Sequence, residues 1–312
     1  MDGADHRRFQ AEALRQRLYA EIRDFFAARG VREVQTPILD PMGPMEPHIE
    51  GLRASDGRQQ WFLRASPEFF HKRLLARGFS DLFEIARVFR AGEHGPRHRP
   101  EFTLLEWYRL GFDHRQLMAE VAALVQSSFA LLGRALNVRE LSYREWFAPL
   151  GLDPFAATAE QMAEAARAHG LEVASPMDRE DWLMLLSAAV LPRFHRAKEL
   201  LFVYGFPLEQ AAYARLLPGE PPTAARFEAF LGALEIANGY WEVTDLEEQR
   251  RRFAQDNAIR AKRGLPPRAV PPEVEAAFVE GLPECAGVAL GIERLLMAML
   301  GSEDIAEVAL FP

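Results

Sequence analysis

The chain has 312 residues, 37 Lys and Arg against 45 Asp and Glu for a net charge of −8, and one cysteine, Cys285. Its length allows one large domain or two smaller ones, and its composition is that of an ordinary globular protein. The acidic balance, with no long basic run, argues against a protein that mainly wraps nucleic-acid phosphates. One cysteine excludes an internal disulfide framework and a cysteine-based metal cluster. With no signal-type N-terminus and no apolar run of about 18 residues, the expectation is a cytoplasmic protein without a membrane span.

In chain order, Phe9, Ala13, Leu14, Leu18, Ile22, Phe25 and Phe26 recur at helical spacing, which predicts an amphipathic helix ended by Gly30. A short strand, VREVQTP, follows and stops at proline. Residues 40–60 are rich in Pro and Gly and read as loop with room for one hairpin. Trp61–Arg64 reads as a strand, and Ser66-Pro67-Glu68 as an N-cap and first turn of a helix reaching about Arg77. Such a helix start exposes amides that can hold an anionic group.

Leu82–Arg90 and Phe102–Arg109 both alternate with period two, the pattern of paired strands. The connection between them, Ala91–Pro100, is longer than a tight hairpin needs and carries Glu93, His94, Arg97, His98 and Arg99. A cationic loop on a two-stranded support suits a polyanion such as a nucleoside triphosphate, although a solvated hairpin explains the pattern equally well.

Residues 114–136 predict a second amphipathic helix, and 140–200 predict further helices with apolar faces at 159–168 and 181–191. A buried strand is expected at 200–206, with strand pattern again at 211–215 and 226–238 around the turn LPGEPPT. A charged helix at 247–263, a helix near 272–281, a small-residue strand CAGVAL and a final helix from Gly291 complete the chain. There are no internal repeats. In ALEIANGYWEVTD, Glu235 and Glu242 are an odd number of residues apart and would face opposite sides of a regular strand. A one-residue bulge at Asn238-Gly239 would bring both carboxylates to one face, as Mg²⁺ ligands or as a seat for a substrate ammonium. Solvated acids on an edge strand are the simpler alternative. In GVALGIERLL, Gly291 permits close approach by a flat ligand, and Arg294 in the first helical turn can meet a phosphate.

Together these segments resemble the three signature motifs of the class II aminoacyl-tRNA synthetases. Residues 9–37 resemble motif 1, FRAGEHGPRHRPEFTLLEWY motif 2 and GVALGIERLL motif 3. Through LRASPEFFHKRLL, RHRPEFTLLEWY, EIANGYWEVTD and EVALFP, the chain is most similar to lysyl-tRNA synthetase cores. No room is expected for an anticodon-binding OB domain ahead of motif 1. That points to the truncated paralogue family that joins (R)-β-lysine or lysine to elongation factor P. The resemblance is strong over 9–115 and 200–312 and weak between.

The resemblance implies an α+β fold, a mostly antiparallel sheet flanked by helices, in one catalytic domain over 1–312 with a helical insertion at about 115–200. It implies ATP and Mg²⁺ as cofactors, a homodimer, and no stable tRNA binding. Arg90 matches the arginine at the ATP α-phosphate and Arg294 the one at the γ-phosphate, both catalytic; Gly291 lies beside the nucleotide. Glu93, Arg99, Glu235 and Ile236 complete the ATP site, with Glu235 and Glu242 as metal ligands. Ser66, Pro67, Glu68, Tyr108 and Glu242 match the amino-acid site. Three positions depart from the pattern. Ala91 and Gly92 follow Arg90 where the family has Asn and Glu, leaving Glu93 as the nearest acid. Arg99 replaces an asparagine and Glu293 an aspartate. Ala289 stands where lysyl-tRNA synthetases have glycine, as in the truncated family. The alternatives are a free-standing enzyme acylating tRNA or a small amine, and an inactive paralogue that only binds an amino acid.

Overall fold

A computed structural model of the chain describes residues 3–173, 177–196, 198–270 and 272–311. Its first element, α1 (Gly3–Ala27), buries Ala11, Leu14, Leu18, Ile22, Phe25 and Phe26. That stripe follows i+3/i+4 spacing from Ala11, so Phe9, a little over half a turn away, points outward at 54% exposure. Ala13 is exposed for the same reason.

After α1 come β1 (Arg32–Glu33), β2 (Leu39–Asp40), β3 (Arg53–Ser55), β4 (Gln60–Leu63) and α2 (Glu68–Ala76). The motif 2 hairpin is β5 (Leu82–Phe89) and β6 (Glu101–Leu110). It leads to α3 (His114–Ala130), β7 (Asn137–Ser142), α4 (Tyr143–Phe147), α5 (Ala159–Ala168) and α6 (Arg179–Phe194). The remainder is β8 (Glu199–Phe206), β9 (Leu216–Leu217), β10 (Thr223–Leu231), β11 (Leu234–Trp241), α7 (Leu246–Lys262), α8 (Pro272–Val279), β12 (Cys285–Gly291) and α9 (Ile292–Leu300).

The main sheet runs β1-β5-β6-β12-β11-β10-β8-β7, with β9 also on β10. All its pairs are antiparallel except β1 with β5 and β7 with β8. A smaller sheet, β2-β4-β3, contains the hairpin allowed for at 40–60.

Period two assigns the sheet's faces. Phe83, Leu105, Trp107, Phe202, Phe227 and Val288 join α1, α3 and α9 in the main core. Even-numbered residues of β5 and β6, among them Glu84, Glu106 and Tyr108, face the other way and build the site. The helices of 115–200 divide between two cores. α3 buries Leu117, Val121 and Val125 in the main one, whereas Tyr143, Trp146, Phe147, Leu183 and Leu186 form a separate cluster on β8 and β10.

Several expected segments differ: the strand VREVQTP is ordered as a strand only at Arg32–Glu33, and the stretch from 140 opens in β7 rather than a helix. The strand pattern at 211–215 forms only an isolated Ala214–Glu242 bridge, because the turn at Gln210–Tyr213 bends the chain away. The stretch 226–238 is two strands, β10 and β11, reversing at Gly232 with φ +62°. α2 begins at Glu68, one residue later than expected. The Ser66 hydroxyl accepts from Glu68 N–H at 3.0 Å but sits one position outside the cap.

The three motifs meet at one buried carboxylate. Glu293 accepts from Thr103 N–H at 2.8 Å and Thr103 Oγ1 at 3.0 Å on β6, and pairs with Arg15 of α1 at 3.0 Å. Arg15 also donates to Val308 O.

Candidate active site

Beneath the hairpin, a cavity of about 1240 Å³ is walled by β6, β10, β11, β12, α2, α6 and α7. Ser66, Glu68, Arg90, Glu93, Arg99, Tyr108, Glu235, Ile236, Glu242, Gly291 and Arg294 all line it. Of the expected residues, only Pro67, which is buried, does not.

One end of it is a nest of buried carboxylates. Glu84 and Glu106 are directly opposite across β5 and β6, a costly placement for like charges. His71 of α2 stands between them, 3.0 Å from Glu84 and 3.6 Å from Glu106. Burial opposes a charge on His71, yet the two flanking carboxylates, Glu106 and Glu84, win and raise its pKa. Arg64 at 2.9 Å and the Thr36 hydroxyl at 2.7 Å complete the shell of Glu84. Although burial alone would raise Glu84, these partners hold its carboxyl below the usual range. Glu106 accepts from Ser66 Oγ at 2.7 Å and from the Tyr108 hydroxyl at 3.3 Å, which fixes its carboxylate toward the cavity.

Glu68 and Glu242 are joined by Lys72, whose ammonium is 2.5 Å from the first and 2.8 Å from the second. Burial pushes the Glu68 carboxyl up to about 8 against the pull of Lys72. Burial also raises Glu242, again opposed by Lys72. Gly287 of β12 leaves the space these groups use. A Cβ there would lie 2.3 Å from Tyr108 Cε1 and 2.7 Å from Glu242 Oε1. Gly287→Ala is therefore expected to raise the amino-acid KM by about ten- to a hundredfold, as overpacking costs about 1–3 kcal/mol. The ATP KM stays unchanged in the same pyrophosphate-exchange assay; equal rises in both would show a general distortion instead.

The other end is cationic. Arg90 lies 5.1 Å from the Phe102 ring centroid, and its buried Nε has no hydrogen-bond acceptor among the described residues. Arg294 donates to Glu235 O at 2.9 Å and to His98 Nε2 at 2.7 Å. Burial, and then the adjacent Arg294, lower the His98 pKa, so the neutral imidazole accepts that bond. Glu93 lies 3.6 Å from His98 and also lines the cavity.

Glu235 and Glu242 do share one face through a one-residue register shift. The extra residue is Ile236, since Ala229 pairs with Ala237 and Phe230 with Glu235. Asn238-Gly239 is regular. Gly239 is glycine because a Cβ would lie 2.5 Å from the Phe227 ring.

The two acids have different neighbours. Glu242 is turned to Lys72, while Glu235 faces Glu228 of β10, an acid the motifs did not single out. Burial pushes Glu228 up to about 7, with Arg226 pulling down and Glu235 pushing up. Glu106, Lys72, His71 and Glu228 were all missed. Strand parity with Tyr108 and Arg226, and helical i+4 spacing from Glu68, were the available signals.

A family model described as tRNA synthetases class II (D, K and N) matches residues 5–312. The chain belongs to the class II aminoacyl-tRNA synthetase family. It is 40% identical over 313 residues to a protein of Vibrio vulnificus (strain YJ016) named elongation factor P–(R)-β-lysine ligase, covering 96% of this chain and 95% of that one. Proteins of the same name are 39% identical in Pasteurella multocida (strain Pm70) and 41% identical in Pectobacterium carotovorum subsp. carotovorum (strain PC1). Each match covers 95% of this chain and 93% of the relative. No helix among the described residues is long and apolar enough to cross a membrane.

Proposed function

We propose that the chain is an ATP-dependent ligase that adenylates (R)-β-lysine or lysine and transfers it to a lysine side chain of elongation factor P. The observation that carries this is one cavity with buried carboxylates at one end and two arginines at the other. The relatives' shared name supplies the acceptor.

In this reading Glu68 and Glu242 receive the two ammonium groups of the substrate, with Tyr108 and Ser66 beside them. The substrate carboxylate then points toward Arg90. Its oxygen forms a bond to the α-phosphorus, and the bond from that phosphorus to the bridging oxygen of pyrophosphate breaks. Arg90 at the α-phosphate and Arg294 at the γ-phosphate face the charge that develops. Gly291 and Ile236 border the nucleotide, with Glu93 and Arg99 closing the loop over it. A neutral amine of the acceptor next attacks the acyl carbon, and AMP leaves.

Mg²⁺ suits Glu228 and Glu235, because burial and the nearby Glu235 make the Glu228 carboxylate costly to ionise, and a cation between the two acids relieves that cost. No group of three described His, Cys, Asp or Glu side chains could cage a metal by itself. That agrees with a Mg²⁺ held by one or two carboxylates and by substrate phosphates. When bound, the ion neutralises phosphate charge. A homodimer built on α1 and a cytoplasmic location belong to the same reading.

The test is pyrophosphate exchange into ATP with a panel of amino acids, followed by acceptance on purified elongation factor P and on tRNA. Diamino acids are expected to support exchange, and elongation factor P to accept the product. Exchange with no amino acid would overturn the reading, and acylation of tRNA alone would reassign the acceptor.

A further inference from the structure

The charges at the amino-acid end do not come as simple pairs. Glu68, Glu106 and Glu242 are three carboxylates in one wall, and Lys72 is the cation set among them. Lys72 is 1% exposed. Its stem and ammonium are held by Glu68, by Glu242, and by the rings of Tyr213 and Phe69, whose centroids lie 5.1 and 5.8 Å away. A cation gripped from all these sides sits behind the wall and does not leave to make room for a substrate.

Glu242 shows what that wall leaves open. It is fully buried, and neither of its oxygens accepts a directed hydrogen bond from the described residues. Oε2 is in charge contact with Lys72, while Oε1 faces the space kept free by Gly287. A buried carboxylate oxygen without a donor is costly unless a ligand supplies one.

We propose that Lys72 is a positioning residue: its fixed ammonium offsets the charge of Glu68 and Glu242 and aims both carboxylates, so that the site selects a substrate bearing two ammonium groups. The inference rests on the reading that these acids receive the substrate. Without Lys72, two desolvated carboxylates would share one site and take up protons, since burial already favours their neutral forms. A neutral carboxyl then meets an ammonium without charge.

The other titratable groups facing the pair do not replace it. Glu106 and Tyr108 come from β6, and Glu46 from the loop after β2. Tyr213, Tyr240 and Cys285 complete the surround. Each is acidic or neutral. His71 is taken up by Glu84 and Glu106.

The test uses the full chain and compares Lys72→Met and Lys72→Arg with the unaltered enzyme in pyrophosphate exchange. Lysine, β-lysine and norleucine, which lacks the side-chain ammonium, are each titrated from neutral to alkaline pH. In the unaltered enzyme the amino-acid KM falls as pH rises toward about 8, because Glu68 must lose its proton to receive an ammonium. Lys72→Met is expected to raise the diamino-acid KM about a hundredfold at neutral pH, the scale of breaking a buried ion pair. It also moves the fall in KM to higher pH, narrows the preference over norleucine by about tenfold, and leaves the ATP KM unchanged.

Lys72→Arg keeps the charge on a broader group, and is expected to recover about tenfold of the lost affinity. An unchanged norleucine preference, or a rise in ATP KM matching that for the amino acid, would overturn the inference. If Lys72→Met does not fold, Lys72→Arg decides alone. It should show a raised amino-acid KM with ATP KM retained, and wild-type values would overturn the proposal. Failure of the unaltered enzyme to use any diamino acid would sink the functional reading itself, a separate result.

Discussion

Arg90→Ala is expected to lower amino-acid-dependent pyrophosphate exchange by about 10²- to 10³-fold, the cost of removing one preorganised donor to a developing charge. The side chain is held over Phe102, and its buried Nε meets no acceptor among the described residues, so that donor is free to meet a phosphate oxygen. Truncation removes no ion pair among the described residues, and thermal stability should change little. Arg90→Lys should restore only a small part of the rate, because a single ammonium cannot reproduce the planar fork of a guanidinium. Steady-state exchange and a thermal melt on the same preparations check both statements. A variant within a few-fold of the unaltered rate would remove Arg90 from the chemistry.

The largest stability effect is expected at Glu293. Glu293→Ala leaves the Arg15 guanidinium buried without its carboxylate and strips the acceptor from the Thr103 amide and hydroxyl. Removing one partner of a buried pair costs about 3–5 kcal/mol. Reversible denaturant unfolding measures it, and a loss under about 1 kcal/mol would show that water reaches the site and compensates. Glu293→Asp should fall between, since the family's usual aspartate is one methylene shorter than the carboxylate that bridges α1 and β6 here.

Much of this architecture was written locally in the sequence. The motif 2 hairpin, α1, α7, β12 and α9 follow from alternation, from i+3/i+4 stripes and from glycine at element ends. Their convergence on one cavity was accessible only because three motifs in order resembled a known family. What was hidden depends on contacts between distant segments. Whether 226–238 is one strand or two turns on the reversal at Gly232, a residue with neither asparagine nor proline beside it. The place of the bulge is set by how Phe230 meets Glu235, which no local pattern at Asn238-Gly239 reveals. Lys72 reads as an ordinary helical lysine until β11 and the chain beyond it bring Glu242 against it. Glu228 likewise becomes notable only when Glu235 lies across the strand pair from it.

The helical segment 143–194 bears on how the chain can be trimmed. Its aromatic cluster covers Leu201, Val203, Phe206, Ala224 and Phe230, which lie on β8 and β10, while Phe202 and Phe227 of the same strands face the main core. These strands are therefore covered on both faces along this stretch, except where β10 walls the cavity. Excising the segment to obtain a minimal catalyst would bare a continuous apolar strip beside the cavity and remove Ser187, Ala188 and Leu191 from its wall. Such a truncation should come out of cells insoluble. A redesign that keeps this cover while recolouring its outer face should stay in solution.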